Sequence, residues 1–222
     1  MKTAISLFSG MGGDSLGIIK AGYKLIAYSE ISGIFRISHD LNIPDCKLLG
    51  KECGSNISKI PDEEFIKFKD TIDLIFAGFP CQGFSQAGKK LPDDPRNTLF
   101  KEFLRATKLI RPKYIIGENV KGLLSRKTQD GTKYIDIIVN EFEQLGYTIK
   151  YKVMKANLHG IPQNRHRLII VGISNDLKRE TPYEFPEEII DNSLNLKNIV
   201  KFSMVGALKV NDEDFDFSTI PD

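Results

Sequence analysis

Short apolar runs bounded by glycine, proline or polar turns alternate with segments of helical period along most of the chain. This is the pattern of a parallel sheet covered by helices. A strand buried on both faces reads as a continuous apolar run, and its covering helix shows one apolar stripe. Strands are predicted at residues 3–8, 24–29, 72–77 and 114–118, and helices at 14–21, 33–41, 97–110 and 133–145, the last stopped by Gly146. From Tyr147 the pattern changes. Residues 147–155 and 167–173 have strand composition with no helix-length segment between them, so an antiparallel pair at a sheet edge is expected. Their connection, residues 156–166, is polar, carries Gly160 and Pro162, and reads as a loop. The fold class is α/β: a doubly wound, mostly parallel sheet with an antiparallel edge. Periodicity weakens after Pro186, which suggests a main domain over residues 1–186 and a C-terminal extension over 187–222.

Composition narrows the possible partners. With 41% hydrophobic residues, a chain of 222 has enough apolar material for one sizeable core. Thirty-one Lys plus Arg against 29 Asp plus Glu leave a net charge of +2, so binding to nucleic acid would need a local patch. No apolar run approaches the roughly 20 residues that span a bilayer, and the N-terminus lacks the pattern of a signal peptide, so a cytoplasmic or nuclear protein is expected. Cys46, Cys53 and Cys81 are an odd number, which leaves at least one thiol to explain. Cys46 and Cys53, with only His39 nearby in sequence, make a poor ligand set, and no metal is expected.

The candidate chemistry sits where predicted strands end. The first runs into Phe8-Ser9-Gly10-Met11-Gly12-Gly13-Asp14 at the start of a helix, where glycines let the backbone approach a ligand and the helix supplies free N–H groups. The second ends at Glu30, about 20 residues on, where doubly wound folds place an acid on ribose hydroxyls. These features predict a nucleoside-containing ligand and do not distinguish NAD from S-adenosylmethionine. The third strand leads into Gly78-Phe79-Pro80-Cys81-Gln82-Gly83-Phe84-Ser85, which puts Cys81 on the ligand-binding edge in the position of a nucleophile. The fourth ends at Glu118, a candidate proton donor or acceptor beside it. In Gln163-Asn164-Arg165-His166-Arg167, the side chains of Gln163, Arg165 and Arg167 would share one face if extended geometry starts early, a row suited to base edges or a phosphate.

With these residues in place, the sequence resembles the cytosine-5 DNA methyltransferases. Phe8–Gly13 is similar to the family's first cofactor motif, Gly78–Ser85 to its catalytic motif and Asp94-Pro95-Arg96-Asn97-Thr98-Leu99-Phe100 to the segment after its mobile loop. Glu118-Asn119-Val120 is similar to the acid motif, and Gln163–Arg167 to the Gln-x-Arg-x-Arg motif. The resemblance implies a Rossmann-like sheet that uses S-adenosylmethionine, with Phe8, Ser9, Gly10, Gly12, Gly13, Glu30, Pro80 and Leu99 around the cofactor. Asn56 and Ile57 stand where the family has Asp-Ile. It further implies Cys81 as nucleophile, Glu118 on the N3 edge of a flipped cytosine, Arg165 on the carbonyl side, and Gln163 and Arg167 in the same motif. The loop after Cys81 would close over double-stranded DNA, with Gly83 and Gly88 as flexible points. Gln82, Ser85, Lys89, Lys90 and Arg96 would bind the substrate.

One departure concerns the second half of the family pattern. No recognition region and no closing motif follow residue 186, so the expectation is the catalytic half of a split enzyme with a second polypeptide, of a truncated product, or of an artificially shortened chain. An RNA (tRNA) cytosine-5 methyltransferase and a non-catalytic cofactor-binding regulatory subunit stay open as alternatives.

Overall fold

A computed structural model describes residues 1–80, 99–178 and 181–189. Cys81, Gln82, Ser85, Lys89, Lys90 and Arg96, and the expected lid that carries them, lie outside the described residues. The chain divides into two compact units, one of Met1–Lys155 with Arg165–Glu187 and the other of Ala156–Asn164 with Glu188–Asp222. In the second, a single 3-10 turn at Ala156–Leu158 accepts a hydrogen bond from Ile189 N at the Leu158 carbonyl, 2.7 Å away.

The first unit is built on a seven-stranded sheet of β1 (Thr3–Leu7), β2 (Lys24–Ser29), β3 (Lys47–Leu48), β4 (Leu74–Ala77), β5 (Tyr114–Val120), β6 (Tyr147–Lys155) and β7 (His166–Ser174). The spatial order is β3-β2-β1-β4-β5-β7-β6. β1 to β5 pair in parallel, and β7 runs antiparallel between β5 and β6. The expected antiparallel edge is therefore present, with β7 inserted beside β5 rather than outermost. The α-helices among the described residues are α1 (Gly13–Lys20), α2 (Gly33–Asn42), α3 (Asp62–Ile66), α4 (Phe100–Ile110) and α5 (Tyr134–Gln144). α4 starts later than the sequence pattern suggests, and β3 and α3 were not expected at all. β3 has two residues and α3 five, too short for period 2 or 3.6 to register.

Alternation along the strands sorts the core into two layers. Ile5, Ala27, Ile75, Ile115 and Ile170 face the layer that holds Phe65 of α3, Phe103 of α4 and Phe142 of α5. Ala4, Leu25, Tyr28 and Leu74 face Ile18 of α1. α2 departs from the usual pattern. Ile34, Ile37 and Leu41 are 75%, 63% and 79% exposed, and the residue that its inner face buries is His39.

The β6 end of the sheet is tied down by one buried polar contact. Tyr147 Oη donates to the Pro112 carbonyl at 2.6 Å, and burial pushes the phenol above its ordinary range. Tyr147→Phe should lower stability by about 1–3 kcal/mol, because it leaves a buried carbonyl without its donor. Urea unfolding of the two proteins measures the difference, and equal midpoints would show that water replaces the hydroxyl.

Candidate active site

The strand order reverses between β1 and β4, and in open α/β sheets the crevice at that point, beyond the carboxyl ends of the strands, receives the ligand. Two segments flank it. After β1, Phe8 turns the chain in the left-handed region at φ 59°, Gly10 follows at 56°, and Gly12 caps α1 at 94°. After β4, Gly78 donates to the Leu7 carbonyl at 3.2 Å, which ties the approach to Cys81 directly to the end of β1.

Glu30 organises the cofactor side. Its carboxylate is buried at the end of β2. Oε2 accepts from Gly10 N at 2.9 Å, Oε1 accepts from Ser32 N at 2.7 Å, and Glu30 N donates to Ser55 Oγ at 3.0 Å. The acid thus holds the glycine loop while keeping lone pairs free for donors, since a carboxylate accepts about four bonds. Ser9 N donates to the Ser29 carbonyl at 3.0 Å, and its buried Oγ has no partner among the described residues. Sequence reasoning missed two neighbours: Ser55, and Ile31, whose side chain is exposed right after the acid. Nothing in periodicity marks either one.

Asn56 and Ile57 separate in role. Asn56 caps the 3-10 turn Ile57–Lys59, its Oδ1 accepting from Ser58 N at 3.2 Å. The Ile57 side chain is buried in the main core, so only its backbone is available to a ligand. Leu99, just before α4, also packs on that core, and Pro80 is half-buried.

The catalytic side rests on β5 and β7. Antiparallel register sets Val120 opposite Arg167 and Glu118 opposite Ile169. Arg167 Nε lies 2.8 Å from Glu118 Oε1, and an Arg165 terminal nitrogen lies 3.6 Å from the same oxygen. Both arginines therefore address one oxygen of a carboxylate that is 26% exposed. Extended geometry begins only at His166, and Gln163 belongs to the other compact unit, where its N–H donates to the Ile161 carbonyl at 2.7 Å. The expected row of three is a pair in this unit.

Asn119 joins Glu118 to the segment that leads to Cys81. Buried next to Glu118, it donates from Nδ2 to the Phe79 carbonyl at 3.1 Å, and its Oδ1 accepts from Val120 N at 2.8 Å. Gly117 permits this approach, since a Cβ there would stand 3.3 Å from the Phe79 ring and 3.4 Å from that of Phe103. Phe79-Pro80 is thereby fixed against β5, one peptide bond short of Cys81.

The sequence profile of the C-5 cytosine-specific DNA methylases matches residues 2–219. The chain belongs to that family. It is 41% identical over 204 residues to the Type II methyltransferase M.Eco47II of Escherichia coli, covering 90% of this chain and 46% of the relative. Against M1.HphI of Haemophilus parahaemolyticus it is 39% identical over 175 residues, covering 77% of this chain and 45% of that one. Among solved structures, an E. coli prophage protein described as a DNA modification methyltransferase superposes with a TM-score of 0.68 at 30% identity, over 82% of this chain and 49% of its own. The chain spans about half the length of these relatives. The doubly wound sheet with its antiparallel β7 is the fold of S-adenosylmethionine-dependent DNA methyltransferases.

Proposed function

We propose that this chain carries the cofactor and catalytic half of an enzyme that moves a methyl group from S-adenosylmethionine to carbon 5 of cytosine in double-stranded DNA. The observation that supports it best is the linked group on β5. Glu118 is oriented by Arg167 and Arg165, and its neighbour Asn119 holds the backbone that enters Cys81.

The residues present fit the cofactor. Gly10 and Gly13 leave its approach free of side chains, since a Cβ on either would meet nothing within 4 Å, and Glu30 is placed to accept from ribose hydroxyls. Ser9 Oγ, buried in that loop without a partner among the described residues, adds a polar group to it. When bound, S-adenosylmethionine supplies an electrophilic methyl group on a sulfonium. On the substrate side, the Cys81 thiolate adds to carbon 6 of cytosine. The ring's 5,6 double bond opens, and carbon 5 becomes nucleophilic enough to take the methyl carbon as its bond to sulfur breaks. Glu118 hydrogen-bonds the N3 edge and offsets the charge that gathers on the ring. Loss of the carbon 5 proton to a base then expels Cys81 and restores the double bond. Because that atom is closed off within the duplex, the cytosine must be flipped out. Lys89, Lys90 and Arg96 are the phosphate contacts of this reading, which places the protein in the cytoplasm with DNA, in a restriction-modification system like those of its Type II relatives.

A completing half, on a second polypeptide or on the same one, is supported by an apolar hollow against the sheet, which Tyr183 also lines. Beside α1, Leu74, Phe76, Tyr114, Ile116, Val171 and Ile173 line an apolar cavity of about 480 Å³. Its wall includes Asp14, which accepts from Ser6 through Oδ2, keeps Oδ1 buried without a partner among the described residues, and has its carboxyl pushed up by burial. An apolar helix with one donor for Asp14 would fit this face. The experiment is transfer of labelled methyl to mixed-sequence duplex DNA, with tRNA as the comparison. The purified chain should be nearly inactive alone and active on DNA once mixed with a recognition half from a Type II relative. Robust site-specific methylation by the chain alone would overturn the need for a second half, and preference for tRNA would overturn the substrate.

A further inference from the structure

Behind the glycine loop lies a buried cluster that the reaction above leaves unused. His39 of α2 is fully buried and stacks on Tyr28 of β2, ring centroids 3.6 Å apart and planes within 12°. Its Nε2 stands 3.0 Å from Ser15 Oγ in the first turn of α1. Its Cδ2 occupies the space beside Gly12, where an added Cβ would come within 3.0 Å of it. Nδ1 is buried without a hydrogen bond among the described residues, 3.9 Å from Asp40 Oδ1, which itself accepts from Tyr28 Oη.

We propose that His39 is a positioning residue that sets the cofactor loop from behind through Gly12 and Ser15. The loop is clamped at two points: Glu30 at the end of β2 grips Gly10 at 2.9 Å, and His39 of α2 backs Gly12. A left-handed Gly12 at φ 94° has no side chain to hold it, so the filled space behind it restricts where α1 begins. This inference rests on the cofactor reading of that loop.

Neutrality is what makes the role measurable. Ser15 from α1, Tyr28 from β2 and Asp40 from its own helix face the ring, and Cys46 and Arg36 act on Tyr28, and Asp14 on Cys46, within the same cluster. Burial pushes the Tyr28 phenol up and the Cys46 thiol up to about 12, so neither carries charge near neutral pH. The same burial pulls His39 below its ordinary value, against a weaker opposing pull from Asp40. A group with a lowered folded value contributes stability that is complete above its unfolded value, about 6.5, and is lost as pH falls through the folded one. Binding that requires the neutral ring follows the same course.

The test uses the full chain, S-adenosylhomocysteine calorimetry between pH 5 and 7.5, and amide NMR of Gly10 and Gly12 without ligand. In the wild type both amides should shift with a titration below pH 6.5, and affinity should fall by roughly tenfold per pH unit once the ring is charged. His39→Phe keeps the stack and cannot titrate. The Gly12 amide of this variant should be flat over this range, and any fall in affinity that remains does not come from the ring. His39→Ala should weaken binding roughly tenfold at pH 7.5. If that variant does not fold, the wild-type titration and His39→Phe decide. Gly10 and Gly12 amides indifferent to both pH and the Phe substitution overturn the proposal whatever binds. Responsive amides with no S-adenosylhomocysteine binding support the positioning role and overturn the cofactor reading instead.

Discussion

Cys81→Ser, assayed with a recognition half supplied, should abolish methyl transfer, a loss of at least about 10⁴-fold, while S-adenosylhomocysteine binding is retained. The two outcomes separate because the thiol makes the bond to carbon 6, whereas the cofactor is held by the loop after β1 and by Glu30. An unperturbed thiol ionises near about 8.5, within reach of activation by its surroundings, and an aliphatic hydroxyl is a far weaker acid that supplies almost no anion. Duplex DNA with 5-fluorocytosine should trap the wild type covalently, because fluorine cannot leave carbon 5 as a proton does. The adduct should appear as a denaturation-resistant band and be missing from Cys81→Ser. A band of equal strength with the serine protein would remove Cys81 from the nucleophile's role.

Glu118→Gln should slow the chemical step by about 100-fold or more with little change in cofactor binding. The amide keeps the shape of the side chain. It loses the charge that Arg167 and Arg165 orient at 2.8 and 3.6 Å, and the ability to stabilise a ring that gains a proton at N3. Stability should move by no more than about 1 kcal/mol, because the carboxylate and both guanidinium groups remain partly open to solvent. Single-turnover rates therefore report chemistry rather than unfolding. A rate equal to the wild type would make the carboxylate an anchor for the arginines and nothing more. A loss of cofactor binding to match the rate would place Glu118 in the architecture of the cleft.

The same carboxylate shows how far the linear pattern reaches. Glu118 and Arg167 are far apart along the chain, and only the antiparallel register of β5 with β7 brings them together. Gln163 belongs to the same short motif as Arg167 but stops short of the strand, in the other compact unit. A one-residue shift in where a strand starts changes which side chains share a face.

α2 behaves in the same way within the core. Its helical period is plain in the sequence, and an amphipathic reading would turn Ile34, Ile37 and Leu41 inward. The structure leaves them in solvent and buries His39, because Tyr28 and Ser15 offer that ring a stacking partner and a hydrogen bond. Asn119 is a similar case. It reads as part of an acid motif, yet its amide reaches back to the Phe79 carbonyl, a bond made possible by the absence of a Cβ at Gly117.

The chain by itself determined the α/β class, the four principal parallel strands, the edge pair, and the positions of the glycine turn, Glu30 and Glu118 at strand ends. Each of these depends on local composition or on the period of a single element, and both are written along the chain; the exception is the end of β5, which runs on to Val120 and so sets Glu118 inside the strand rather than at its end. Tertiary structure alone decided the insertion of β7 beside β5, the pairing of Glu118 with Arg167, the grip of Glu30 on Gly10, and the burial of His39 behind Gly12. These depend on which elements become neighbours, and that is set by the burial of whole faces against one another, a property no single segment carries.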